Sequence, residues 1–181
     1  MSADDALGRT PPFPDAPPFP DAAFMRIAFE RLSVVVAEDD PFFRRLLVAW
    51  LEAFGARSVR AAADGARAFE MIEAAPADLV VTDWEMPGLD GIALTKRLRD
   101  RAASPSPFVP VLMVTSYAER GRVMKAMRAG VSGYLVKPAT PRAFYERILA
   151  ICADARPFVA TPHYFGPDRS RPQAFAADPE G

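Results

Sequence analysis

Short apolar runs alternate with amphipathic stretches through the middle of the chain. Five runs read as β-strands, at about 33–37, 58–62, 79–83, 110–115 and 133–136. Runs 33–37, 79–83 and 110–115 are almost wholly apolar, the pattern of central strands covered on both faces. Between them, apolar residues recur at helical spacing. The first helix starts with Asp40 as N-cap and Pro41 in its first turn. Its stripe is Phe43, Leu46, Leu47, Trp50, Leu51 and Phe54, and Gly55 supplies the stop. The second helix is expected at 65–74, with Phe69 and Ile72 facing inward. The third is expected at 91–101 after Asp90, and the fourth at 119–129. The fifth follows Thr140-Pro141 and carries Phe144, Ile148, Leu149 and Cys152. Five successive βα units imply an α/β fold, a doubly wound parallel sheet with helices on both faces.

The flanks lack this pattern. Residues 1–31 read as a largely extended Pro-rich arm, with a short helical turn possible at 24–31. Six prolines fall in residues 1–23, and the hexamer PPFPDA occurs at 11–16 and again at 17–22. The arm reads as a solubilising tail, or alternatively as a partner-binding arm anchored by Phe13 and Phe19. Residues 32–152 form the folded domain. Residues 153–181 hold five more prolines without periodicity and read as a second extended tail.

Composition narrows the class. Half of the 181 residues are hydrophobic, enough for one core, and the formal net charge of −1 gives no general affinity for nucleic acid. No long apolar run predicts a membrane span, and no signal peptide is read, so a cytoplasmic protein is expected. The single cysteine, Cys152, excludes an internal disulfide and is expected to pack in the core.

The candidate chemistry lies where the apolar runs end. Glu38-Asp39-Asp40 follows the first strand, Asp83 ends the third, Thr115 ends the fourth, and Lys137-Pro138 follows the fifth. The C-terminal strand ends are where open α/β sheets bind ligands. Lys137 stands out because the chain has only three lysines, with Lys96 and Lys125, among 22 basic residues. If the first and third strands are neighbours, about 4.8 Å apart, Glu38, Asp39 and Asp83 crowd together. Their mutual repulsion calls for a cation, and Mg²⁺ suits a few carboxylates with room left for phosphate oxygens. A backbone carbonyl just past Asp83, that of Glu85, would complete the shell. Lys137 would supply a compact positive charge for a phosphate, Thr115 a hydroxyl donor, and Pro138 a stop to strand pairing. Each residue alone has a plainer reading: Asp40 as helix cap, Thr115 as strand former, Lys137 as solvated cation.

The strings VVVAEDDP, DWEMPGLDG at 83–91, PVLMVTS at 110–116 and AGVSGYLVKP at 129–138 resemble the receiver domain of bacterial response regulators, closest to the chemotaxis-type single-domain form. The resemblance spans about 32–152. It implies a flavodoxin-like sheet of order 2-1-3-4-5 and a role for each matched residue. Asp83 would be the phosphoacceptor. Glu38, Asp39, Asp83 and the Glu85 carbonyl would hold Mg²⁺, with Glu38 standing where Asp is commoner. Thr115 and Lys137 would contact the phosphoryl group. Tyr134 would be an aromatic switch that follows Thr115, and Glu85 and Tyr117 would tune dephosphorylation. It also implies a sensor histidine kinase or His-phosphotransfer protein as donor, and a downstream protein bound on the face of helix 4, strand 5 and helix 5, near Met124 and Met127. No DNA partner and no membrane insertion are expected, and a homodimer is compatible. The protein would not be an enzyme beyond its own phosphorylation and dephosphorylation.

Two rival readings stay open. One is a Mg²⁺-dependent phosphohydrolase, with Asp83 as nucleophile and Glu85 as acid. The other is a phosphate-independent adaptor. The tail residues Arg156, Phe158, Tyr164, Phe165, Arg169 and Arg171 bear on the adaptor, since they somewhat resemble the extensions of receiver proteins that bind cyclic di-GMP. Alternatively, those aromatics pack on the domain, or the tail is disordered.

Overall fold

The computed structural model describes residues 29–170. The elements are β1 (Ser33–Ala37), α1 (Pro41–Ala53), β2 (Ser58–Ala62), α2 (Gly65–Ala74), β3 (Leu79–Thr82), α3 (Gly91–Arg99), β4 (Val111–Thr115), α4 (Arg120–Ala129), β5 (Gly133–Val136), α5 (Pro141–Cys152), β6 (Phe158–Thr161) and β7 (Tyr164–Pro167). The first five strands form one parallel sheet in the order β2-β1-β3-β4-β5. This is the flavodoxin-like arrangement that the receiver resemblance implies.

Side chains alternate across a strand, and that alternation divides the core into two layers. Val35, Ala37, Val80, Val111 and Met113 pack with Phe69, Ile72, Ile92, Leu94, Leu98 and Ala126 from α2, α3 and α4. Val34, Val36, Leu79, Val81, Leu112 and Val114 face the other way, onto Leu47, Leu51, Phe144 and Ile148 from α1 and α5. Because β1, β3 and β4 feed both layers, nearly every position in them is apolar, with Thr82 and Thr115 as the only polar members at their C-terminal ends.

Four helices start on a side-chain cap: Asp40, Asp64, Asp90 and Thr140 each accept a backbone N–H three residues on. The helix α4 differs. Its N-cap, Glu119, makes no such bond, and only Ala126 and Ala129 of the helix are buried. It ends at Gly130, whose φ of 99° is the left-handed cap that glycine favours. The helix α3 stops at Arg99, two residues before the expected end, because Asp100 turns the backbone into an extended conformation.

Three features differ from the expectations. Phe29, placed in the extended arm, is only 1% exposed and belongs to the α1/α5 layer, stacked on Tyr145 at 5.1 Å and edge-on to Phe54 at 5.6 Å. Cys152, expected in the core, is exposed; the last buried position of α5 is Ile151. The start of the segment read as a second tail is a paired antiparallel hairpin, β6-β7, turning at Pro162-His163. Its rings Phe158 and Phe165 form a triangle with Phe108, with centroids 5.2–5.5 Å apart. Four-residue strands flanked by prolines are too short to show alternation, so the hairpin gives no periodic signal. The PPFPDA repeat, Phe13, Phe19 and Arg171 lie outside the described residues.

Candidate functional site

Sheet register brings the candidate residues to one rim. Ala37 lies opposite Thr82 across β1 and β3, so the next residues, Glu38 and Asp83, leave the sheet side by side. The Asp83 amide donates to the Ala37 carbonyl at 2.9 Å, and the Glu38 amide to the Ala62 carbonyl at 3.1 Å. On β4 and β5, Thr115 pairs with Val136, and the Lys137 amide donates to the Thr115 carbonyl at 2.8 Å. The Lys137–Pro138 peptide bond is cis.

Carboxylate oxygens of Glu38, Asp39 and Asp83 lie within 4.8 Å of one another. The Lys137 ammonium donates to Asp83 Oδ2 at 2.7 Å and to Glu38 Oε2 at 2.9 Å. The three side chains are 16%, 13% and 1% exposed for Lys137, Asp83 and Glu38, so this is a largely desolvated ion cluster rather than a surface pair. Burial pushes the Glu38 carboxyl above its ordinary pKa; Lys137 opposes that shift and the Asp83 charge adds to it. Burial also works against the Lys137 charge, but its hydrogen bonds to Asp83 and Glu38 outweigh this and hold its pKa up. One ammonium therefore faces three carboxylates. The donor set, all hard oxygens and electrostatically under-compensated, fits a magnesium-type cation.

Neighbouring residues shape this rim. Arg44 Nη1 donates to the carbonyls of Glu38 at 2.6 Å and Asp39 at 3.1 Å, fixing the acidic loop through its backbone. Phe43 lies under Lys137, with the ammonium 4.2 Å from the ring centre, a cation–π contact that limits where the lysine reaches. A Cβ on Gly91 would sit 1.9 Å from the Asp83 carbonyl oxygen, so no larger residue fits while Asp83 holds this position. The sequence marks Phe43 only as part of a helix stripe, and Arg44 as one of many arginines. Their contacts depend on how α1 leaves β1, which no local pattern encodes.

Thr115 lies at the same rim and is 1% exposed. Glu85 is not part of the carboxylate cluster; its exposed side chain reaches Arg122 at 3.9 Å. The hydrogen bond of Tyr117 with the Glu85 carboxylate pushes the phenol pKa up. Arg122 lies over the Tyr117 ring at 3.5 Å, and Tyr117 packs edge-on to the buried Trp84 at 5.9 Å. Tyr134 faces inward, 9% exposed, and its hydroxyl donates to the Tyr117 carbonyl at 2.7 Å. Burial, with help from Glu119, pushes its phenol up to about 12. Of the two methionines on α4, Met124 is 45% exposed, whereas Met127 packs against the core.

The two tail arginines among the described residues, Arg156 and Arg169, have partners within the chain. Arg156 is forked onto Asp154, and Arg169 donates to the Val131 carbonyl. Among the described residues, the arginine set deepest is instead Arg99, 6% exposed, which donates to the carbonyls of Gly130, Pro107 and Val109.

Known proteins carry the same framework. A family model described as the response regulator receiver domain matches residues 34–149. The chain is 36% identical over 119 residues to the chemotaxis protein CheY-3 of Vibrio cholerae, covering 66% of this chain and 90% of that protein. It is 37% identical over 117 residues to the chemotaxis protein CheY of Pseudomonas aeruginosa, covering 65% and 93%. Among solved structures, the receiver domain of Francisella response regulator 1452 superposes with a TM-score of 0.61 at 28% identity, covering 67% of this chain and 96% of that one.

Proposed function

The chain belongs to the response regulator receiver domain family, and from that premise we propose that it is a phosphoacceptor of a two-component phosphorelay, modified on Asp83. The observation that carries this reading is the Lys137 ammonium bridging Asp83 and Glu38 at the C-terminal rim of the sheet. The donor is a phosphohistidine on a sensor kinase or phosphotransfer protein. An Asp83 carboxylate oxygen attacks its phosphorus, a P–O bond forms, the P–N bond breaks, and the imidazole nitrogen leaves and takes up a proton.

Lys137 is already placed to stay beside the charge that builds on the phosphoryl oxygens, where a fixed, desolvated cation is most effective. Thr115 donates its hydroxyl to a phosphoryl oxygen. Glu38, Asp39, Asp83 and the Glu85 carbonyl would hold Mg²⁺, which when bound supplies further charge neutralisation. Arg44 and Gly91 are positioning residues, since they fix the backbones of the acidic loop and of Asp83.

The acyl phosphate adds about −1.5 to −2 charge at this rim. That charge draws Thr115, and Tyr134 reports the movement through its bond to the Tyr117 carbonyl, so the α4–β5–α5 face changes toward a downstream protein. Glu85 and Tyr117 flank the route of attacking water and set the phosphate lifetime. The Glu85 carboxylate is exposed and turned toward Arg122 and Tyr117, outside the carboxylate cluster, which supports a phosphoacceptor over a phosphohydrolase with Glu85 as acid.

Incubation with a labelled small phosphodonor and Mg²⁺ tests the reading. Labelling that stops at about one phosphoryl group per chain and disappears in Asp83→Asn is expected. Continuous turnover of a phosphate ester would make the protein a phosphohydrolase, and absence of any label would make it a phosphate-independent adaptor.

A further inference from the structure

A second polar cleft lies on the flank of the domain, between α3, α4 and the hairpin. Its volume is about 340 Å³, and its walls include Lys96, Arg99, Arg128, His163 and Tyr164. It continues into a neighbouring hollow of about 290 Å³ that adds Lys125. Four permanent cations thus meet one carboxylate, that of Asp100, which accepts a hydrogen bond from the Ala102 amide. Among the described residues no carboxylate lies within ion-pair distance of Lys96, Lys125 or Arg128.

Part of this charge has an ordinary explanation. Lys96, Arg99 and Arg128 occupy the last turns of α3 and α4, where cations complement the helix dipole. Arg99 Nε also caps the end of α4 through the Gly130 carbonyl, and Nη1 holds the loop before β4 through the Pro107 and Val109 carbonyls. Nη2 is buried without a hydrogen-bond partner, and the guanidinium carbon lies 5.1 Å from the Phe158 ring centre, so this nitrogen is covered by protein and Arg99 lends the cleft its charge rather than that N–H. An unsatisfied buried guanidinium nitrogen carries a real penalty. Burial brings the Arg99 pKa down to about 10; Tyr164 opposes that shift and the nearby charge of Arg169 adds to it. The dipole does not account for Lys125, a full turn before the end of α4, whose ammonium lies 5.5 Å from the Trp84 ring centre, or for the hairpin wall of His163 and Tyr164.

We propose that this cleft binds a small polyphosphate, either free or carried on a nucleoside, gripped by Lys96, Lys125 and Arg128 with Arg99 in its wall. Several cations around one open cleft suit a ligand with several phosphate groups better than a single carboxylate, because each group takes its own charge-assisted bonds. The cleft is separate from the Asp83 rim, and its occupancy does not depend on Asp83.

Titration calorimetry of the whole chain in EDTA and low salt tests this, with inorganic tripolyphosphate, ATP and a hexaglutamate peptide as probes. Saturable binding of tripolyphosphate at one site is expected, weakened at least about tenfold in Lys125→Ala/Arg128→Ala. Both side chains are exposed, so the unliganded melting temperature of that variant should fall only slightly, by the loss of a helix-end charge and a surface cation–π contact. Binding should be unchanged in Asp83→Asn, which separates this site from the phosphoacceptor reading. Tighter binding of ATP would assign the nucleoside-borne form, and equal binding the free form; either supports the site. No saturable heat from either phosphate probe up to about 5 mM, unaltered affinity in the double variant, or equal binding of the acidic peptide would overturn it.

Discussion

Arg44 shows how much of this site is held through backbone rather than side chains. Its guanidinium takes two consecutive carbonyls of the acidic loop, leaving the carboxylates of Glu38 and Asp39 directed elsewhere. Arg44→Ala should lower stability by about 1–2 kcal/mol, the loss of charge-assisted bonds to partly buried acceptors, and should weaken Mg²⁺ binding in a titration followed by Trp84 fluorescence. Asp154 gives a prediction in pH. Burial alone would raise its carboxyl, but the Arg156 hydrogen bonds and charge outweigh it and hold its pKa below the ordinary 3.8. A depressed folded-state pKa stabilises above the unfolded value, and the contribution fades as pH falls through the folded one. Asp154→Asn should therefore lower the melting temperature at neutral pH and lose less of it than wild type on acidification below 3.8.

Among the elements, α4 is the one held least by its own sequence. It has no side-chain N-cap, fully buries only two alanines and packs Val123 and Met127 partly on the core, so what touches its ends adds to its placement. At one end, Arg122 sits on Tyr117, beside the phosphoacceptor loop. At the other, Gly130 meets the hairpin: a Cβ there would lie 2.7 Å from the Phe165 carbonyl oxygen and would also strain a φ of 99°. Gly130→Ala should cost about 1–3 kcal/mol by chemical denaturation, with faster amide exchange in residues 129–132. The same substitution at Gly121, where nothing lies within 4 Å, should not.

Across the molecule, the parts legible in the sequence are those written locally. Apolar runs ending in Asp83, Thr115 and Lys137 give the strands and their functional rim, because strand ends and helix caps are local signals. Phe29, Arg44, Arg99 and the hairpin were not legible. Phe29 packs on Phe54 and Tyr145, more than twenty residues away, Arg44 finds carbonyls across a turn, and Arg99 reaches Gly130 across two elements. Such contacts exist only once the sheet has brought the helices and loops together. The hairpin lies beyond the receiver framework, since the family match ends at residue 149 and β6 begins at Phe158.

The central claim is that Glu38, Asp39, Asp83, Thr115 and Lys137 act as one phosphoryl-accepting site. Peptide mass spectrometry after brief exposure to a small phosphodonor tests it most directly, with Mg²⁺ in one sample and EDTA in the other. The account predicts a phosphoryl group on Asp83, present with Mg²⁺ and absent with EDTA, and much reduced in Lys137→Met. A phosphoryl group on any other residue, or label on Asp83 indifferent to both the metal and Lys137, would contradict it.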